Sequence, residues 1–224
     1  MSYRSYKVLL AEDDETSADL LIHFLERYNF EVDHVVDGVA AELKLKKDVY
    51  DLILLDNQMP LLSGLRLVER IPDKNKNRPI IFLTVSNERE NILQAAASGQ
   101  LAAYLLKPFE PNSLLAKIKS ALRIEQTSLI DKKEFPFSIQ KISKEGYGAG
   151  VRLVGCPYGK TPERIVQEIS FVLKELSQAR RFFLEIEEAF HFHKNYFELL
   201  NAVVAKLATK YEIPQENILV IDTV

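Results

Sequence analysis

A single cysteine, Cys156, is all the cysteine that this 224-residue sequence offers. No internal disulfide can form, so disulfide-stapled scaffolds are excluded and a reducing cytoplasm is the natural setting. No apolar run approaches the roughly 18 residues needed to span a bilayer. The opening stretch MSYRSYKVLLAEDD holds only a short apolar run that ends in acids. It fits neither a signal peptide nor an anchor, and no membrane insertion is expected. Low-complexity segments and internal repeats are missing. So is an excess of one charge: 29 Lys and Arg against 32 Asp and Glu leave a formal charge of -3, too small to draw the chain in bulk to nucleic acid or acidic membranes.

What is present is an ordinary globular composition, 47% apolar and 27% charged, with length enough for two domains of roughly 100–150 residues. From Tyr6 to about Leu122 strand and helix patterns alternate. Lys7–Ala11 is a short apolar run that stops at Glu12-Asp13-Asp14, and Ala18, Leu21, Ile22 and Leu25 then recur at helical steps until Asn29. A strand over Val32–Val36 and a short helix over Ala40–Lys47, with Leu43 inward, come next. Leu52–Asp56 is almost purely apolar, as a strand buried on both faces should be. Met59-Pro60 and Ser63-Gly64 mark a loop before a helix over Leu65–Ile71. Pro79–Thr84 reads as a fourth strand, Glu88–Ser98 as a helix stopped by Gly99, and Ala102–Leu106 as a fifth strand. Pro111 suits the first turn of a last helix carrying Leu114, Leu115, Ile118, Ala121 and Leu122.

Five alternating strands and helices predict a doubly wound, flavodoxin-like α/β domain with a parallel sheet, whose site lies beyond the carboxyl ends of the strands. Polar residues gather at those ends: Glu12 and Asp13, Asp56, Thr84 and Lys107. Converging carboxylates resist joint ionisation unless a cation sits among them. A hard divalent ion such as Mg²⁺ suits one or two carboxylates plus phosphate oxygens and waters. Such a site fits phosphoryl transfer to a carboxylate nucleophile, for which Asp56, at the end of the central strand, is the best candidate. Lys107 offers a positive charge to a phosphate oxygen and Thr84 a hydroxyl.

Leu9-Leu-Ala-Glu12-Asp13-Asp14, Leu54-Leu-Asp56-Asn-Gln-Met59-Pro60 with Gly64, Phe82-Leu-Thr84 and Tyr104-Leu-Leu-Lys107-Pro108-Phe109 together resemble the CheY-like receiver domains of two-component response regulators. The resemblance covers about residues 6–125. It implies an aspartyl phosphate on Asp56, donated by a sensor histidine kinase or a phosphotransfer protein. It further implies Mg²⁺ held by Glu12, Asp13, Asp56 and the backbone carbonyl of Gln58, with Thr84 and Lys107 on the phosphoryl group. The Lys107–Pro108 peptide is expected to be cis, and Tyr104 takes the place of the aromatic switch that follows Thr84 inward. Phosphorylation is expected to bias the face of the fourth helix, fifth strand and fifth helix, so that the receiver forms a homodimer there or releases the C-terminal domain. No catalysis is implied beyond the domain's own phosphorylation and dephosphorylation. Three features depart from the family pattern. Val85 stands where a small residue is usual and would crowd Asp56 or hinder Tyr104. Gln58 and Ser86 occupy positions that tune dephosphorylation. The segment from Gly99 to Tyr104 is one residue longer than usual.

Plainer readings stand beside these. Asp13 and Asp14 suit a helix cap, and Asp14 reads better as a cap than as a ligand. Thr84 also reads as an ordinary strand end, Lys107-Pro108 as a turn, and Tyr104 as a half-buried strand aromatic.

A receiver domain over 1–125 leaves residues 126–136 as a linker or helix extension and 137–224 as an output domain. The second domain reads as strands over Phe137–Ile142 and Gly150–Val154, a helix over Thr161–Leu176, a strand over Arg181–Ile186, a helix over Tyr196–Tyr211 and a strand over Asn217–Ile221. This smaller α/β pattern resembles the sulfate-transporter/anti-sigma-antagonist (STAS) domain, which implies a protein-binding module. The stretch His191-Phe-His193-Lys194-Asn195 lacks the hydroxyl that STAS domains often carry there. Residues 131–224 hold thirteen Lys and Arg and thirteen Asp and Glu. A neutral domain without a three-helix pattern offers no basic face for DNA, so nucleic acid is not the expected partner. The alternative is a DNA-binding transcriptional regulator with an atypical output domain. His191 and His193 read as solvated loop residues, Glu185 as a solvated strand end, and Gly146–Gly150 as a hairpin turn.

Overall fold

The computed structural model describes residues 4–85, 101–125, 128–144, 148–173 and 181–223, and it divides into two compact units, Met1–Ile130 and Asp131–Val224. The helix expected over Glu88–Ser98, Ser86, the segment from Gly99, Gly146 with Tyr147, and the end of the helix expected to reach Leu176 lie outside the described residues.

In the first unit, β1 (Tyr6–Ala11), β2 (Phe30–Val35), β3 (Leu52–Asp56), β4 (Ile80–Thr84) and β5 (Leu101–Leu106) form one sheet in the order β2-β1-β3-β4-β5. Every pairing is parallel. The helices are α1 (Glu15–Glu26), α2 (Gly38–Lys47), α3 (Gly64–Val68) and α4 (Pro111–Leu122). Alternation along the strands sorts the core into two layers. Val8, Leu10, Leu52, Leu54, Ile81 and Leu83 pack with Ala18, Leu21 and Leu25 of α1 and Leu114 and Ile118 of α4. Leu9, Ala11, Ile53, Leu55, Ile80 and Phe82 pack with Ala41 and Leu45 of α2 and Leu67 of α3. Burial on both faces is why β3 reads as an unbroken apolar run; each such side chain contributes about 1.5–3 kcal/mol.

Caps fix the helix starts. Asp14 accepts from the Ser17 amide at 2.7 Å, and Asp37 from the Ala40 amide at 2.7 Å, while Pro111 begins α4. Two expectations need correction. Leu43 does not face inward: it is 62% exposed, and α2 is anchored by Ala41 and Leu45 instead. These two lie one turn apart, and Leu43, two positions from each, turns to the opposite side. The third helix spans only Gly64–Val68 before two turn residues, short of Ile71. Beyond Leu122 the helix is not prolonged, because Arg123 adopts a left-handed conformation (φ 53) that closes α4. Ile124 and Ile130 are buried. Asn29, itself buried, secures the return by donating to the Arg4 carbonyl (2.7 Å) and the Ser128 carbonyl (3.1 Å) and accepting from the Ile130 amide (2.9 Å).

In the second unit, β6 (Ser138–Lys144), β7 (Gly148–Val154), β8 (Phe182–Ile186) and β9 (Ile218–Asp222) form a sheet in chain order. The pair β6–β7 is antiparallel and the rest are parallel. Helices α5 (Pro162–Val172) and α6 (Tyr196–Tyr211) both contribute to one apolar cluster with Val151, Leu153, Phe182, Leu184 and Ile186. The strand–strand–helix–strand–helix–strand order read from the sequence is therefore present, with both helices on one face of a mixed sheet. Thr161 caps α5, accepting from the Arg164 amide, and Gly150 is required because a Cβ there would collide with the Phe183 carbonyl and ring. Two side chains differ from expectation. Glu185 is not a solvated strand end: it is buried and accepts from Arg152 Nε at 2.9 Å, with Nη2 at 2.8 Å. The two residues stand in register on neighbouring strands. His191 is not simply solvated: its Nε2 lies 3.0 Å from Asp222 and its ring packs edge-on against Tyr196.

No helix among the described residues is long and apolar enough to cross a membrane.

Candidate functional site

The parallel order brings the carboxyl ends of β1, β3, β4 and β5 to one edge of the first sheet, and each supplies a polar side chain there. Glu12 follows β1 and is fully buried. Its amide donates to the Val35 carbonyl at 3.1 Å, and its own carbonyl contacts His34 Nε2 at 2.8 Å. Asp13 beside it is exposed. Asp56 ends β3, its side chain only 10% exposed, and it accepts from the Gln58 amide at 3.0 Å. Thr84 ends β4, buried, its hydroxyl donating to the Val85 carbonyl at 3.1 Å. Lys107 follows β5, and its amide donates to the Thr84 carbonyl at 2.7 Å, which ties these two positions together through the backbone.

The Lys107 ammonium spans the pocket. Nζ donates to both Glu12 oxygens at 2.8 and 2.7 Å and to Asp56 Oδ2 at 2.6 Å. Burial pulls against the lysine charge, but the bonds from Asp56 and Glu12 outweigh it and hold the pKa above the ordinary lysine value. Glu12 is moved the other way: burial raises its pKa above the usual glutamate value, and the lysine only partly offsets this. One ammonium does not satisfy three carboxylates. Ligand atoms of Glu12, Asp13 and Asp56 all lie within 4.8 Å of one another, the one such acidic or metal-ligating group among the described residues. Hard oxygen donors at this separation suit a divalent cation of the Mg²⁺ kind.

The loop after Asp56 owes its shape to Asn57 and Gly64. Asn57 accepts through its carbonyl from Gly64 N at 3.1 Å and through its side chain from Leu65 N at 3.0 Å. Gly64 has to be glycine, since a Cβ would collide with the Asp56 carbonyl. The Asn-to-Gly spacing was the available signal. Tyr104 is half-buried on β5, in register with Phe82 and packed on the same apolar layer as α2. The Lys107–Pro108 peptide is cis. Gln58 is exposed and Val85 is 38% exposed. Asp14 stays at its capping post, outside the acidic group.

A five-stranded parallel sheet carrying this acidic pocket at its carboxyl edge defines the CheY-like receiver class. The chain belongs to the response regulators: residues 8–119 match the response regulator receiver domain. Its similarity to the transcriptional regulatory protein ResD of Bacillus subtilis is 32% identity over 221 residues, covering 91% of this chain and 90% of ResD. Against the phosphate regulon transcriptional regulatory protein PhoB of Rhizobium meliloti it is 35% over 119 residues, about half of each chain (52% and 52%). Among solved structures, a response regulator from Chloroflexus aurantiacus superposes with a TM-score of 0.50 at 28% identity, covering 54% of this chain and all of its own. A CheY-like receiver protein from Methanospirillum hungatei also gives 0.50, at 26% identity, with 54% of this chain and 95% of its own covered.

Proposed function

We propose that the chain is a phosphorylation-driven switch in which Asp56 accepts a phosphoryl group from a sensor histidine kinase or phosphotransfer protein and the second unit relays the change to a protein target. The observation that carries this is the bridge from Lys107 Nζ to Asp56 and Glu12 at 2.6–2.8 Å, beside the exposed Asp13. In the transfer, an Asp56 carboxylate oxygen forms a bond to phosphorus as the phosphorus–nitrogen bond of a phosphohistidine breaks, and the leaving imidazole takes up a proton. Lys107, kept charged by its partners, turns from Asp56 to a phosphoryl oxygen. Thr84 turns its hydroxyl from the Val85 carbonyl to another. Glu12, Asp13, Asp56 and the Gln58 carbonyl are the groups that would hold Mg²⁺. When bound, the ion neutralises charge on the transferring group. Tyr104 then packs inward toward the place Thr84 leaves, and the β5 face changes for dimerisation or release of the output unit. A cytoplasmic setting belongs to this reading, with no enzymatic activity beyond the receiver's own phosphate chemistry.

For the output, the STAS-like likeness supports a protein-binding module, as does a formally neutral unit with its helices on one face. A second reading is favoured by one specific finding: ResD, matched over 91% of this chain, is a transcriptional regulatory protein. A DNA-binding output would show itself by salt-sensitive, sequence-selective mobility shifts. The primary reading expects binding that is weak and indifferent to sequence. Phosphoacceptance is tested by intact-mass measurement after incubation with acetyl phosphate and Mg²⁺. Wild type gains one phosphoryl group and Asp56→Asn gains none; an unmodified wild type would refute it.

A further inference from the structure

Among the described residues of the first unit, eight large aliphatic side chains are exposed, and five of them lie along α2 or at its ends. Val39 and Leu43, one turn apart, share the outer face of α2, and Lys46 and Lys47 continue that stripe. Val36 stands two residues before the helix and Val49 two after it. Leu61, 81% exposed in a left-handed conformation (φ 66), belongs to the same patch, because the helix start abuts its loop: a Cβ on Gly38 would collide with the Leu62 carbonyl. A surface helix ordinarily turns polar residues outward. Here the inner face is filled by Ala41 and Leu45 while Val39 and Leu43 point to water. Exposed apolar side chains grouped about one helix in this way mark an interaction surface.

We propose that the occupant of this strip is a second copy of the same chain, its α2 packed antiparallel on a two-fold axis near Leu43. The charge pattern selects that partner. Toward its start α2 carries Asp37, its cap, and Glu42, which Lys46 and Arg70 of the same copy hold at 2.6 and 3.6 Å; toward its end it carries Lys44, paired with Asp33 at 3.6 Å, and Lys46 and Lys47. Antiparallel pairing sets each acidic half beside the basic half of the other copy and opposes the helix dipoles favourably. It also lays the aliphatic stem of Lys47 over Val39 and brings Val49 of one copy to the end where Leu61 of the other waits. A parallel arrangement would set like charges together. The helix is only ten residues long, about 15 Å, so the interface sits at the small end of specific contacts, below about 1,200 Å² in total, and the dimer is a reversible one seen at high concentration.

The test uses the full chain and Leu43→Cys. A residue on the axis meets its own counterpart, so this variant forms a disulfide-linked dimer under mild oxidation. Leu20→Cys, comparably exposed on α1 at 68%, stays monomeric, and native Cys156 is buried and does not compete. Sedimentation velocity across concentration provides the second readout. Leu43→Glu weakens self-association at least tenfold. Glu42→Lys also weakens it, since it sets a lysine against Lys44 of the other copy. Unchanged thermal unfolding and phosphoryl uptake in each variant show that the receiver is intact. A chain that stays monomeric at every concentration, or a dimer that ignores Leu43→Glu and links as well through Leu20→Cys, overturns the proposal.

Discussion

The two units share strand-and-helix grammar but place their buried charges differently. In the first, Glu12, Asp56 and Lys107 sit at strand ends on one edge of the sheet, where one ammonium bonds two carboxylates and a third, Asp13, lies beside them. In the second, Arg152 and Glu185 sit within β7 and β8, in register, each the other's partner. A buried charge balanced inside a sheet is structural, whereas an imbalance at a carboxyl edge leaves room for a reaction. Two sheets of different topology, one all parallel and one mixed, thus place charge at an edge in one unit and within the strands in the other.

The contrast breaks most decisively at the acceptor. Asp56→Asn should abolish phosphoryl uptake, and Lys107→Ala should slow it by about 100-fold, in keeping with loss of a preorganised charge; both are read by mass spectrometry over time. Neither Arg152→Met nor Glu185→Gln should change the rate. Stability comes next. Arg152→Met leaves Glu185 buried without its partner and should cost the second unit about 1–2 kcal/mol, the arginine being partly exposed, while Arg152→Met with Glu185→Leu should recover most of it. Urea denaturation followed by circular dichroism gives both values, and equal losses in the single and double variants would remove the pair from a structural role.

A smaller effect depends on pH. Because burial raises the Glu12 pKa, the folded metal-free protein holds this proton more tightly than the unfolded chain does. The contribution to stability is fully present below the ordinary glutamate value of 4.5 and is lost as pH rises through the folded value. Glu12→Gln should therefore stabilise the metal-free protein near neutrality and lose that advantage as pH falls toward 4.5. Stability curves for the two proteins would cross the prediction if the advantage grew in acid. The smallest expected signal is Cys156, whose thiol burial pushes up to about 11. Alkylation at pH 8 should proceed only as the second unit opens, which makes it a reporter for that unit alone.

Much of the site was legible because it depends on topology. Once five alternating strands imply a parallel sheet, Glu12, Asp13, Asp56, Thr84 and Lys107 must share one edge wherever the helices pack. What stayed hidden depends on register between distant segments. The sequence 43–45 offers two leucines as inward candidates, and only the docking of α2 against Leu9 and Ile53 selects Leu45. Glu185 reads as solvated because its partner stands 33 residues earlier. The bond between Asn29 and Ile130 spans 101 residues, so no local pattern announces that the first unit holds the chain beyond α4. In the second unit the element order was legible from periodicity, and what it binds was not, since among its described residues no metal-ligating group gathers at the strand ends.

The most direct measurement locates the phosphoryl group. Treated with acetyl phosphate and Mg²⁺, then digested under mild acid, the chain should yield a single modified peptide, the one containing Asp56, and hydroxylamine should strip the group as it does an acyl phosphate. A hydroxylamine-stable modification, or one carried on a peptide without Asp56, would contradict the account.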